Sequence, residues 1–129
     1  MKVLLDVNVL VALLLAVHSH HKRARAWMLR LGRGDTVLLT PWVELAFLRV
    51  GLQSRLLPDL ATGQLLLAGF RPGAARLDFL ADDARADSLP DWVGSAAAIG
   101  DGHLSSLASA HGATLVTFDQ DIPGALVIP

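Results

Sequence analysis

Three short apolar runs, each closed by a polar residue, frame the chain. Lys2-Val3-Leu4-Leu5 ends at Asp6, Thr36-Val37-Leu38-Leu39 ends at Thr40, and Ala113 to Phe118 ends at Asp119. Runs this short, apolar on both faces, suit buried parallel strands. Ala125 to Ile128 reads as a last short strand. Between the runs the spacing becomes helical. Val9 to Val17 is apolar all round and predicts a buried helix with Asp6 or Asn8 near its start. From His20 to Leu31, Ala24, Trp27, Met28 and Leu31 share one face, while Lys22, Arg23, Arg25 and Arg30 mostly take the other. Thr40 and Pro41 form a helix start, Thr40 as cap and Pro41 at the first position, so Glu44 falls in the first turns. Pro58 to Phe70, Gly73 to Asp83 and Asp101 to Ala110 read as further helices, the last ended by His111-Gly112. Arg85 to Gly100 is the least patterned segment, with a short strand expected near Ala86–Leu89 and then a loop.

Strands alternating with helices predict an α/β fold with a parallel sheet covered on both faces. Ligands of such sheets bind outside the carboxyl ends of the strands. Asp6 and Asp119 stand at strand ends, and Glu44 and Asp101 at helix starts that face the same edge. Four acids distant in sequence are thereby expected to meet.

Composition narrows the picture. The 129 residues make one domain, 1–129, and 53% hydrophobic content supports a real core and argues against disorder. Cysteine is absent, which excludes disulfides and thiolate metal sites and fits a reducing compartment. A net charge of -1 gives no global basic field, so any nucleic-acid site must be built locally. The apolar start looks like a signal peptide until Asp6 is counted: an Asp at the centre of a membrane helix costs roughly 2.5–3.5 kcal/mol. The segment is read as buried core, with no membrane span and a cytoplasmic location.

Clustered carboxylates suit hard divalent cations such as Mg2+ and Mn2+. Phosphodiester hydrolysis needs an activated water and neutralised phosphate charge, and such ions supply both. Any one of the four acids has an ordinary explanation as a cap or turn former. All four together, one embedded in an apolar run, favour function. Glu44 is the only glutamate of the chain, and its flanks Trp42-Val43 and Leu45-Ala46 are apolar.

Four motifs carry a family resemblance. Leu5-Asp6-Val7-Asn8-Val9-Leu10 resembles the opening of PIN domains, and Thr40-Pro41-Trp42-Val43-Glu44 their Ser/Thr-x-x-x-Glu helix start. Asp101-Gly102-His103-Leu104 with Leu107-Ala108 and His111-Gly112 resembles their third motif, and Leu115 to Asp121 the last. Order and spacing match along essentially the whole chain, and the compact length is most similar to the VapC toxins of bacterial toxin–antitoxin pairs. The resemblance implies a three-layer α/β/α sandwich with a mainly parallel sheet. It also implies a Mg2+- or Mn2+-dependent endoribonuclease that hydrolyses RNA through a metal-bound water, a small cognate antitoxin as partner, and a homodimer. By resemblance Asp6, Glu44, Asp101 and Asp119 are the metal-binding and water-activating acids. Asn8, Thr117 and Thr40 support them, and Asp121 is an auxiliary acid or a turn residue. Where the family often has a hydroxyl residue before the third acid and an alanine after it, this chain has Gly100 and Gly102.

Two other readings compete. An Asp-nucleophile phosphotransferase wants Asp-x-Asp where Asn8 stands, and a PIN-like module that only binds RNA or protein need not keep four acids. Lys22, Arg23 and Arg25 are candidate contacts for RNA phosphate or antitoxin, beside the simpler reading of a solvated face. His18, His20 and His21 read as a solvated helix start rather than a metal site. His103 is expected near substrate, and His111 at a helix end opposite the dipole. Trp27 and Trp42 are expected in the core, Trp92 in a loop, and Leu65-Leu66-Leu67 in the core or a dimer interface.

Overall fold

A computed structural model describes residues 1–129. Five parallel strands, β1 (Lys2–Leu5), β2 (Thr36–Leu39), β3 (Arg76–Phe79), β4 (Thr114–Thr117) and β5 (Leu126–Val127), form one sheet in the order β3-β2-β1-β4-β5. The apolar runs made this sheet legible because its central strands are buried on both faces: Val3, Leu4, Leu5, Val37, Leu38, Leu39, Leu115 and Val116 are all core. Five helices accompany it: α1 (Val7–Leu14), α2 (His21–Met28), α3 (Pro41–Gln53), α4 (Leu60–Gly69) and α5 (Ile99–Ala110). The chain winds outward from β1 through β2 to β3, then returns past β1 to β4 and β5. Right-handed crossovers place helices of opposite winding on opposite faces. Helices α1 to α4 therefore pack as one layer and α5 lies on the other side, against β4 and β1. This is the expected three-layer sandwich. No helix is long and apolar enough to cross a membrane.

Strand order reverses between β1 and β4. That is the switch point where a crevice opens beyond the strand ends. Polarity is placed there with economy: Asp6, Thr40 and Thr117 are the buried polar residues, at the carboxyl ends of β1, β2 and β4.

Several local expectations need correction. Helix α1 starts at Val7, directly after Asp6, whose carboxylate accepts from the Val7 N–H, and it stops at Leu14, before Val17. The segment Gly73–Asp83, expected as a helix, contains strand β3. Its leucine spacing fits a helix, but the open edge of β2 pairs with Arg76 to Phe79 and Leu80 N–H continues the ladder to Leu39 O. The strand expected at Ala86–Leu89 is a 3-10 turn at Ala86–Ser88. Thr40 sits at the helix start, but its side chain does not cap α3. Its carbonyl accepts from Val43 and Glu44, while the fully buried hydroxyl has no partner.

Candidate active site

Register explains how Asp6 meets its first partner. Leu5 pairs with Val116, so the next residues, Asp6 and Thr117, lie side by side on one face of the sheet. Thr117 Oγ1 donates to Asp6 Oδ2 at 2.7 Å and accepts from Asn8 Nδ2 at 3.2 Å and from the Asp119 N–H at 3.0 Å. One donor and two acceptor sites exhaust a hydroxyl. Asn8 Oδ1 in turn accepts from the Phe118 N–H. The end of β1 and the turn after β4 are thus one hydrogen-bonded unit. Asp119 Oδ1 accepts from the Asp121 N–H, a local turn that fixes the Asp119 carboxylate.

Asp6, Asp101 and Asp119 line one cleft of about 390 Å³, with Asn8, His18, Trp42 and Arg49 also on its walls. Asp101 enters from the first turn of α5, and its carboxylate makes no hydrogen bond within the chain. A second cavity of about 320 Å³ shares Asp101 and Asp119 and adds Asp121 and Trp92. These two aspartates form a ridge between the cavities. Burial pushes the Asp101 carboxyl above its ordinary value, and the Asp6 and Asp119 charges push it further. Burial raises Asp6 as well; the Thr117 and Val7 bonds pull it down, and Asp119 adds to the rise. The three aspartates therefore feel one another's charge.

Glu44 stands apart. On α3, at roughly 100° per residue, Trp42, Ala46, Arg49 and Val50 share one side and Pro41, Glu44, Leu45 and Leu48 another. The first set faces the aspartate cleft; the second lines a neighbouring groove of about 900 Å³ with Leu67, Arg71 and Phe79. Burial alone raises the Glu44 carboxyl.

The glycines beside Asp101 have a packing reason. A Cβ on Gly102 would collide with Val93 Cγ2, and one on Gly100 would lie 2.9 Å from the Trp42 ring. Their lack of side chains lets α5 sit against Trp42 and the Pro90–Val93 turn.

Other candidates are committed elsewhere. The Arg23 guanidinium donates to Pro129 O and Ile128 O, meets His20 Nδ1 and lies 5.0 Å over the Phe118 ring. Two of these bonds tie α2 to the carboxyl-terminal residues. Lys22 is exposed, and Arg25 lines a groove with Leu65 and Phe70. His103 bonds to Asp82 at 2.7 Å, away from the aspartate cleft, and His111 to Asp83 at 3.2 Å. Trp27 is core; Trp42 is a cleft wall, with its ring edge toward His103. Leu66 and Leu67 pack on the core and Leu65 is exposed. Sequence reasoning missed Arg49. Its i+7 spacing from Trp42 was the available signal.

The donor set fits a hard divalent ion: three carboxylates on one cleft, mutually repelling, with no ion pair to neutralise them. They do not close into a three-ligand cage. Mg2+ is commonly held by one or two carboxylates together with water and substrate phosphate.

The model of the PIN domain family matches residues 3–125. The chain is 38% identical to Ribonuclease VapC38 of Mycobacterium tuberculosis over 128 residues, covering 92% of this chain and 86% of that protein. It is 31% identical to Ribonuclease VapC39, covering 92% and 89%. Among solved structures, Mycobacterium tuberculosis VapC20, described as a sarcin–ricin-loop-cleaving toxin, superposes with a TM-score of 0.69 at 13% identity, over 98% of this chain and 99% of that one. VapBC2 of Rickettsia felis, bound to a DNA fragment from its promoter, gives 0.59 at 19% identity, over 98% and 97%.

Proposed function

The chain belongs to the PIN domain family, and on that premise we propose that it is the ribonuclease toxin of a toxin–antitoxin pair, a metal-dependent endonuclease working at Asp6, Asp101 and Asp119. The observation that carries the reading is the cleft in which these three acids, and no paired cation, share one field. Asp6, Asp101 and Asp119 would hold a divalent ion, Mg2+ or Mn2+, whose chemistry there would be to activate a water and to neutralise charge on the scissile phosphate. The chain's own residues do the rest. Thr117 fixes the rotamer of Asp6 and, through its bond from the Asp119 N–H, the turn that carries Asp119. Asn8 holds that turn from the other side. Asp101, free of internal bonds, keeps both oxygens for ion or water. Glu44, the fourth acid of the family pattern, opens on the adjacent groove and is assigned a supporting role outside the cleft. Asp121 holds its neighbour's turn through its backbone and borders the second cavity.

The toxin reading brings an RNA substrate, a small antitoxin that blocks the cleft, and a second copy of the chain as dimer partner. The test is cleavage of purified RNA with Mg2+, with Mn2+ and with EDTA, alongside expression of the chain with and without the small protein encoded beside it. Cleavage only with metal, and growth arrest relieved by the neighbour, are expected. Intact RNA under all three conditions would overturn the reading.

A further inference from the structure

Two residues of the aspartate cleft, Arg49 and His18, carry donors that no other group of the chain uses. Arg49 lies on the Trp42-Ala46-Arg49-Val50 side of α3, about 10 Å along the helix from Trp42. Three carboxylates line the same cleft, yet the ion pairs of the chain all lie elsewhere, at Asp35, Asp78, Asp82, Asp83 and Asp87. His18 comes from the turn between α1 and α2. Its Nδ1 accepts from the His20 N–H at 3.1 Å, which puts the proton of the neutral ring on Nε2. Burial, and then the neighbouring His20 and His21, hold this imidazole below its ordinary range, so it offers a donor without a second positive charge.

The cleft lined by Asp6, Asp101 and Asp119 also carries a free guanidinium and an imidazole donor, so it offers both a place for a cation and donors for an anion. It suits a ligand with anionic oxygens on one side and a cation-bridged contact on the other. A phosphodiester has that form, and the planar guanidinium fork matches two phosphate oxygens. We propose that Arg49 and His18 form a phosphate subsite that seats the RNA backbone against Asp6, Asp101 and Asp119. The inference rests on the ribonuclease reading and adds how the strand is held.

The test uses a fluorescein-labelled single-stranded RNA and an Asp101→Asn background, in which turnover is blocked, with anisotropy read over a KCl series in Mg2+. Arg49→Gln is expected to weaken binding about tenfold at low salt and to flatten the log–log salt slope by about 0.7, the loss of one phosphate contact on a single strand. Arg49→Lys should keep the slope and recover part of the affinity. His18→Ala should weaken binding less and leave the slope alone. With Asp101 intact, Arg49→Gln should raise KM more than it lowers kcat, with an unchanged circular dichroism spectrum. An Arg49→Gln protein with unchanged affinity and slope overturns the subsite, whatever it does to a protein partner. Slope changes that persist in a chain unable to cleave RNA with any metal would overturn the ribonuclease reading and leave the subsite standing.

Discussion

Thr117 Oγ1 donates a 2.7 Å hydrogen bond to Asp6 Oδ2, and this bond joins the ends of two neighbouring strands across the switch point of the sheet. Both residues are buried, and the same hydroxyl accepts from Asn8 and from the Asp119 N–H. Thr117→Val keeps the shape and removes all three bonds. Leaving such groups unpartnered costs about 1–3 kcal/mol, and loss of a ligand-orienting bond typically costs about 10–100-fold in activity or metal affinity. A lower Tm together with a loss of cleavage on that scale is expected, with Thr117→Ser restoring both. A Thr117→Val enzyme of full activity would show that this hydroxyl does not orient Asp6.

Gly102→Ala sets two effects against each other. Alanine favours a helix by about 1 kcal/mol over glycine, but its Cβ would collide with Val93, and overpacking costs about 1–3 kcal/mol. The collision is expected to win: Tm falls and Asp101 is displaced, lowering cleavage. Thermal denaturation decides it, and a rise in Tm would mean that the Pro90–Val93 turn yields freely.

The sequence disclosed β1, β2 and β4 because central strands of a parallel sheet must be apolar on both faces. It disclosed Asp6 and Asp119 because each ends such a run. Strand β3 stayed hidden: Arg76-Leu77-Asp78-Phe79 is mixed in character and becomes a strand only because β2 has an open edge. The roles of Arg23 and Thr40 also depend on tertiary contacts. One arginine is spent on the carboxyl terminus and one hydroxyl turns inward, and neither fact has a local signature. Arg49 shares a helix face with Trp42 at i+7 spacing, but only the facing of α3 ties that face to the cleft.

Stability should depend on pH in opposite senses at two sets of acids. Asp6, Glu44 and Asp101 are raised by burial, so their contribution is fully present below the ordinary carboxylate range and is lost as pH rises through the raised values. Asp35, bonded to the amino terminus and the Gly32 N–H, and Asp59, bonded to Thr62, are lowered. Their contribution is present above the ordinary value and is lost as pH falls through the depressed one. A divalent ion in the aspartate cleft relieves Asp6 and Asp101 of the first set, and it needs them ionised. Mn2+ should therefore raise Tm clearly at about pH 7, well above the ordinary carboxylate range, and little at about pH 4, within that range, where the raised groups keep their protons. Equal shifts at both would contradict ion binding by these acids.

Glu44→Gln separates the inner acids from the outer one. Because Glu44 faces the neighbouring groove, the substitution should lower cleavage by about 10–100-fold, the scale of a supporting group, and leave the Mn2+ shift in Tm nearly intact. Complete loss of both would place the Glu44 carboxylate in the cleft itself.

The central claim is most directly tested at Asp101, which lines the aspartate cleft, whose carboxylate forms no internal hydrogen bond, and whose carboxyl is raised by burial and then by the Asp6 and Asp119 charges. Asp101→Asn removes one charge without stranding a partner. Measured side by side with the unaltered chain, the metal-free variant should have an equal or higher Tm, a smaller Mn2+ shift and no Mg2+-dependent RNA cleavage. A folded Asp101→Asn protein that cleaves RNA at the unaltered rate would contradict the account.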